Sequence, residues 1–138
     1  MVTSAQALKK YGDPTLQKAM IVWDVPSNLE IGFIPRKIYC NRDLVQPLSQ
    51  AFQNLISTGH VSELKTWDGC FNIRKKRGLS SMSLHSWGIA VDVNAFENGL
   101  NQVPKLSAGF VKCFSDAGFD WGGTWKRKDG MHFQLSKI

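Results

Sequence analysis

Four residues in two short segments have side chains that could bind a metal ion and support hydrolysis. His85 and Asp92 lie seven residues apart in SLHSWGIAVD, and His132 ends the segment Asp129-Gly130-Met131-His132. Two imidazoles and one carboxylate can supply three metal ligands and leave a fourth position open, as catalytic zinc sites do. The second carboxylate, Asp129, could then accept a proton from water. These residues are therefore candidates for a hydrolytic metal site.

Two predicted strands would position two of these residues. Apolar residues occupy alternate positions in Ile89–Asn94 and again in Met131–Leu135. This period of two predicts strands with one face towards the core. Asp92 and His132 both fall on the opposite face of their strands. If the strands are neighbours, the two side chains can meet on one surface of the sheet.

His85 requires a different placement, because it precedes Asp92 by an odd number of residues. An unbroken strand would direct the two side chains to opposite faces. A helix would bring them together, but Gly88 and the β-branched residues after it disfavour a helix. We therefore expect His85 on a loop that Gly88 turns into the strand. The alternative is that both histidines are ordinary polar residues and that Asp92 caps a turn.

The motif resembles that of the D-Ala-D-Ala metallopeptidase family, which includes D,D-carboxypeptidases, D,D-dipeptidases and phage L-alanyl-D-glutamate endolysins. The family pattern is Ser-x-His-x-x-Gly-x-Ala-x-Asp, followed by an acidic residue three positions before a second histidine. The matching residues are Ser83, His85, Gly88, Ala90, Asp92, Asp129 and His132. The segment Trp121-Gly122-Gly123-Thr124-Trp125 also looks like this family, so the resemblance extends from about Thr66 to Leu135.

The resemblance implies one Zn²⁺ per chain, bound by His85, Asp92 and His132, with Asp129 as the catalytic base. It also implies an arginine upstream of the first histidine that stabilises the developing oxyanion, and Arg74 is the candidate. Lys75, Lys76 and Arg77 follow directly, so another cation of this run could have that role. The alternative is a solvated basic loop.

Substrate contacts are expected from Ser83, Trp87 and Trp125, which lie close to the metal motifs. Tryptophan offers a broad apolar surface with one hydrogen-bond donor, which suits a groove for a peptide or disaccharide. Core packing is the alternative for Trp87, Trp121 and Trp125. His60 belongs to no family motif, so we expect it on an exposed loop outside the site.

Composition limits the organisation and the partners. The 138 residues, 43% of them hydrophobic, predict a single domain over 1–138, in which 1–30 could be an N-terminal extension packed on the rest. The resemblance implies that this is a zinc peptidase domain. The net charge of +6 predicts attraction to polyanions. The basic clusters Arg74–Arg77 and Lys126–Lys128 flank the candidate site, and no nucleic-acid-binding motif is visible. We expect a basic rim for an anionic substrate and three reduced cysteines.

Hydrophobic periodicity predicts the other elements. A helical stripe from about Asp43 to Thr58 ends at Gly59, and a second helix covers Ser107 to Ala117 before Gly118. Short strands are predicted near Lys37–Tyr39, Leu64–Trp67, Ile89–Asn94 and Met131–Leu135, with a possible short helix around Pro14–Met20. The fold class is therefore α+β, with a small, mainly antiparallel sheet that carries the zinc site and packs against helices.

The function implied by the resemblance is a zinc peptidase that cuts peptidoglycan, in the form of a phage-type endolysin acting on the L-Ala–D-Glu bond of the stem peptide. A D-alanyl-D-alanine carboxypeptidase is the alternative within the enzyme class. A non-catalytic wall-binding module, as in hedgehog-type domains, is the alternative of another class. No apolar run of signal-peptide length is visible. We therefore expect a monomer made in the cytoplasm, without membrane insertion, that reaches the wall through a separate membrane-permeabilising protein.

Overall fold

The computed structural model describes residues 1–138 and contains three helices and six strands. The helices are α1 (Ser4–Tyr11), α2 (Val45–Thr58) and α3 (Ala108–Ser115). The strands are β1 (Met20–Asp24), β2 (Lys37–Asn41), β3 (Trp67–Gly69), β4 (Ala90–Val93), β5 (Phe119–Trp121) and β6 (His132–Leu135). β1 and β2 form a two-stranded sheet, and the other strands form a sheet of order β3-β4-β6-β5. Every pairing is antiparallel, which confirms the predicted α+β class.

Helices α2 and α3 form where the apolar periodicity predicts them. α2 buries Leu48, Phe52 and Leu55 on one face, and Pro47 falls in its first turn, where its missing N–H has no helical partner to lose. Gly59 ends α2 with φ +79°, a conformation that favours glycine. α3 begins after Ser107, whose hydroxyl accepts a hydrogen bond from the N–H of Phe110.

One predicted strand lies elsewhere. We expected a strand near Leu64–Trp67, but β3 begins only at Trp67. The backbone N–H groups of Lys65 and Thr66 donate to the side-chain oxygen of Asn94, at 2.8 and 3.1 Å, rather than to a strand partner. A side-chain acceptor from a distant residue thus replaces the ladder at this point.

The N-terminal prediction was also wrong in its details. Pro14–Leu16 forms a single 3₁₀ turn that Gln17 ends in the left-handed region, and no helix covers Pro14–Met20. Met20 instead begins β1 and pairs with Asn41 of β2. The helix of this region is α1, which starts earlier, where Thr3 and Gln6 form a reciprocal capping box.

One hydrophobic core extends through the molecule. Its 29 buried apolar residues run from Val2 to Leu135 and include members of all three helices. Phe114 of α3 stacks on Phe133 of β6 with ring centroids 4.3 Å apart, which fixes α3 on the sheet. The three cysteines are buried and unpaired, as predicted. None of the helices has both the length and the apolar character needed to cross a bilayer.

Candidate metal centre and substrate cleft

The register of two neighbouring strands brings Asp92 and His132 together. β4 and β6 are antiparallel, and Asp92 lies directly opposite His132 in the ladder. The Nδ1 atom of His132 is 3.4 Å from Oδ1 of Asp92. Because a slip of either strand by one residue would turn its own ligand side chain to the other face, this register is what assembles the pair.

His85 reaches the same point from outside the sheet. It lies in a 3₁₀ turn, Leu84–Trp87. The hydroxyl of Ser83 caps this turn by accepting a hydrogen bond from the N–H of His85. Its Nε2 atom is 3.1 Å from Oδ2 of Asp92. Gly88, with φ +67°, then turns the chain into β4, as the sequence predicts.

Each imidazole is oriented by a hydrogen bond at the ring nitrogen that faces away from Asp92. Nδ1 of His85 is 2.7 Å from the carbonyl oxygen of Cys70, and Nε2 of His132 is 3.0 Å from Oε1 of Gln134. Carbonyl oxygens only accept, so these two nitrogens carry the protons. The remaining nitrogens, Nε2 of His85 and Nδ1 of His132, therefore present lone pairs towards Asp92. Metal-binding histidines are usually held in this way.

The three side chains fit a bound cation. Nε2 of His85 and Oδ1 of Asp92 are buried and have no hydrogen-bond partner, which is costly unless a ligand satisfies them. A lone pair of His85 facing a carboxylate oxygen is also repulsive unless a positive charge lies between them. One ligand atom from each of His85, Asp92 and His132 lies within 4.8 Å of the others. Two imidazoles and one carboxylate form a donor set that suits zinc.

Asp129 lies beside this cluster, with Oδ2 3.9 Å from Nδ1 of His132. The Trp-Gly-Gly segment positions it. The N–H of Asp129 donates to the carbonyl of Gly122 at 2.9 Å, and a Cβ on Gly122 would collide with the Asp129 carbonyl oxygen. The indole of Trp121 donates to the carbonyl of Gly130 at 2.7 Å. This motif therefore holds the loop that carries the candidate base, a role that its sequence did not reveal.

The pKa values of the two carboxylates of the site shift in opposite directions. Burial raises the pKa of Asp129 above its usual value, and the neighbouring histidines and Arg74 oppose this shift without cancelling it. Burial also disfavours a charged Asp92, but protonation of the neighbouring His132 and His85, when no metal is bound between them, outweighs it and lowers the pKa of Asp92. Asp92 is thus suited to remain an anion, and Asp129 to exchange a proton.

A cleft of about 310 Å³ covers this cluster. Of the predicted site residues, it is lined by Arg74, Ser83, Asp92, Trp125, Asp129 and His132. The ring of Trp125 is 5.4 Å from that of His132, so this indole is placed to contact a substrate. His85 is buried beneath the cleft surface and is 3% exposed.

Trp87 does not line the cleft, contrary to the expectation that it contacts the substrate. It is 4% exposed and belongs to the hydrophobic core. Its indole N–H donates to the carbonyl of Gly12 at 2.8 Å, which ties the His85 turn to the end of α1. Trp121 packs against Phe133, so of the three tryptophans near the motifs only Trp125 lines the cleft.

Several cleft residues had no signal in the sequence. Met1, Val2, Leu79 and Leu100 all line it, although none belongs to a motif or to a predicted basic cluster. Arg127, from the predicted basic cluster Lys126–Lys128, also lines it. Only folding brings the N-terminus to this surface. His60 lies outside the site, as predicted, but it is half-buried and pairs with Glu63 rather than being a free loop histidine.

The fold and the site define an α+β protein with a His-Asp-His metal-ligand cluster beside a carboxylate. The chain matches the family model described as D-alanyl-D-alanine carboxypeptidase over residues 76–135, the segment that carries all four residues. This match confirms the resemblance to the D-Ala-D-Ala metallopeptidases. The chain is also similar to the solved structure of the L-Ala D-Glu endopeptidase ChiX of Serratia marcescens. Their sequence identity is 24%, with 70% of this chain and 80% of that chain covered, and the TM-score is 0.45. A comparison with curated proteins gave no match.

Proposed function

We propose that this protein is a zinc-dependent peptidase that hydrolyses the L-Ala–D-Glu bond of peptidoglycan stem peptides. The observation that carries the proposal is the His85–Asp92–His132 cluster, with its unsatisfied ligand atoms, at a cleft that also contains Asp129. The family match over residues 76–135 supports a peptidase that acts on peptidoglycan.

The side chains of the site have separate tasks in this reaction. His85, Asp92 and His132 would hold the zinc, which when bound supplies Lewis-acid activation of water and of the peptide carbonyl. Asp129 would accept a proton from the attacking water. It would then return this proton to the leaving nitrogen as the C–N bond breaks. Burial, which raises the pKa of Asp129, suits a group that takes and gives a proton.

Arg74 is the candidate for stabilising the negative charge that develops on the carbonyl oxygen. It lines the cleft, is half-buried, and its charge acts on Asp129. Its guanidinium makes one long hydrogen bond, 3.4 Å from Nη1 to the carbonyl of Lys75, so its other donors remain for a ligand. Lys76 lines the same cleft and is the second cation that could act there.

Two features favour the L-Ala–D-Glu bond. The cleft is basic, and the glutamate of a stem peptide keeps a free carboxylate next to this bond. In addition, the Asp-Gly-x-His form of the last motif resembles that of phage endolysins. The D-alanyl-D-alanine carboxypeptidase activity is the second candidate, because the matching family model has that description. A terminal carboxylate could also bind the basic cleft.

Mass spectrometry of digested peptidoglycan tests the bond. The zinc-loaded protein should produce stem peptides that begin at D-Glu and leave L-Ala on the muramic acid. Release of free D-alanine with intact L-Ala–D-Glu bonds would establish the carboxypeptidase instead. The Asp129→Asn variant serves as the control, because its products should be absent if Asp129 is the base. Binding of peptidoglycan without any cleavage by the zinc-loaded protein would indicate a non-catalytic wall-binding module.

A further inference from the structure

The cleft contains more positive charge than the proposed reaction requires. Four basic residues line it: Arg74, Lys76, Arg77 and Arg127. The acidic residues of the lining are Asp92 and Asp129 only, and Asp92 is already engaged by two histidines. One cation is sufficient to stabilise an oxyanion, and a second, such as Lys76, could bind the free carboxylate of the glutamate. The others must therefore serve another purpose or remain as uncompensated charge.

None of these four cations is in an ion pair. The ion pairs of lysine and arginine lie elsewhere, as in Lys10–Asp43 and Lys112–Asp116. Like charges gathered in one cleft repel each other, and the repulsion is larger where the protein excludes water. A ligand with several negative charges would relieve this repulsion, and the field of the cleft would also attract such a ligand.

Three of the four cations lie in one segment, which backbone hydrogen bonds hold in shape. They lie in a hairpin, residues 74–83, in which Lys75 forms a bridge with Met82. The N–H of Lys76 donates to the carbonyl of Ser81, and the N–H of Ser83 donates to the carbonyl of Arg74, each at 2.9 Å. This pairing turns Arg74 and Lys76 to the cleft, whereas Lys75 is exposed and does not line it. Arg77 continues the lining at the exposed end of the hairpin.

Arg127 reaches the cleft from a different segment, beside Trp125. It is half-buried and lines the cleft, whereas its neighbour Lys126 is exposed and does not. Apolar side chains of Leu79 and Leu100 also line the cleft. The cleft therefore combines apolar leucine side chains with cations from two separate segments. Such a lining suits a peptide with acidic side chains.

We propose that Arg77 and Arg127 form a second carboxylate subsite, which binds the side-chain carboxylate of the third stem-peptide residue while Arg74 acts at the bond that is cut. This inference rests on the proposed function and names the substrate more narrowly. A stem peptide with diaminopimelate at the third position carries this carboxylate, and one with lysine lacks it. The two peptides otherwise present the same L-Ala–D-Glu bond.

The experiment compares these two peptides as substrates. The unmodified protein should have a kcat/KM about tenfold higher for the diaminopimelate peptide, as expected for one charge-assisted contact. Arg77→Gln and Arg127→Gln should each reduce this ratio towards one, mainly by raising KM for the diaminopimelate peptide. Lys75→Gln and Lys126→Gln are the matched controls: they remove the same charge two residues from Arg77 and one residue from Arg127, outside the cleft, and should preserve the ratio.

Calorimetric binding in the Asp129→Asn background separates this inference from the proposed function. If the zinc-loaded unmodified protein cuts neither peptide, but the diaminopimelate peptide still binds the Asp129→Asn variant more tightly and Arg127→Gln abolishes this difference, the subsite stands and the proposed reaction fails. If both peptides are cut equally well and the arginine variants change nothing, the reaction stands and the subsite is wrong. An equal effect of Lys75→Gln or Lys126→Gln would also overturn the subsite, because it would indicate attraction by net charge alone.

Discussion

Two regions of the molecule bring ligand atoms to one point by different physical means. The pairing register of β4 and β6 places Asp92 opposite His132. Because both strands are buried, a change of register would move their apolar side chains out of the core. His85 has no ladder. It lies in a turn held by the carbonyl of Cys70, by β2 and by α1, the last two from the N-terminal part of the chain that the family match does not cover.

The N-terminal part holds the His85 turn at both of its ends. Ser4 at the start of α1 donates from its hydroxyl to the carbonyl of Met82 at 2.9 Å, just before the turn. The carbonyl of Gly12, just after α1, accepts from the indole of Trp87 within it. The side chain of Asn41 in β2 also donates to the Trp87 carbonyl. One half of the site should therefore be sensitive to changes far away in the sequence, and the other half should not.

The largest effect should follow from removing a metal ligand. His85→Ala, Asp92→Ala and His132→Ala should each lose stoichiometric zinc, measured by elemental analysis, and lose activity. Chelation of the unmodified protein should lower its unfolding temperature, because a ligand at about 1,000 times its Kd stabilises a fold by about 4 kcal/mol. If freshly purified protein contains no stoichiometric metal, both regions have another purpose.

Asp129→Asn should separate chemistry from metal binding. It should retain zinc and the unfolding temperature of the parent, because Asp129 is not among the three ligand residues. The loss of the proton acceptor should reduce kcat by about 10²- to 10⁴-fold. A rate near that of the parent would assign the base to another residue.

Gly88→Ala should disrupt the His85 region specifically. A Cβ at this position would lie 2.7 Å from the backbone nitrogen of Asn41 and 2.6 Å from Cε of Met20, and φ is +67°. We expect a loss of unfolding free energy of about 2 to 4 kcal/mol, from left-handed strain and overpacking, together with weaker zinc binding. Gly59→Ala is the control, because Gly59 has φ +79° with open space around it. It should show only the strain, about 1 kcal/mol, and unchanged zinc affinity.

Ser4→Ala should have the smallest effect and tests whether α1 supports the site. It removes one hydrogen bond to the carbonyl of Met82, which is worth about 1 kcal/mol. We expect zinc affinity to fall a few-fold along with stability. Ser136→Ala removes a comparable bond, to the carbonyl of Gly118, next to the paired strands β5 and β6. If both variants lower stability equally and neither alters zinc affinity, α1 is structural support without influence on His85.

The sequence by itself determined the candidate site residues and the elements with strong local patterns. The four site residues lie in two short motifs, so their types and spacing can be recognised without knowledge of the fold. The helical stripe of α2 and its stop at Gly59 are local as well, since a period of 3.6 and a left-handed glycine are properties of adjacent residues. The alternation around Asp92 and His132 predicted their shared face, and the register confirmed that the two are neighbours.

Only the tertiary structure decided what surrounds the site. β1 forms through pairing with β2, a contact between distant residues that the local pattern of Pro14–Met20 does not encode. Trp87 was indistinguishable from a groove residue until the carbonyl of Gly12 was seen to accept its indole N–H. Met1 and Val2 line the cleft because the core places their segment there. Long-range packing is set by the sum of many weak contacts, so no spacing of a few residues can reveal it.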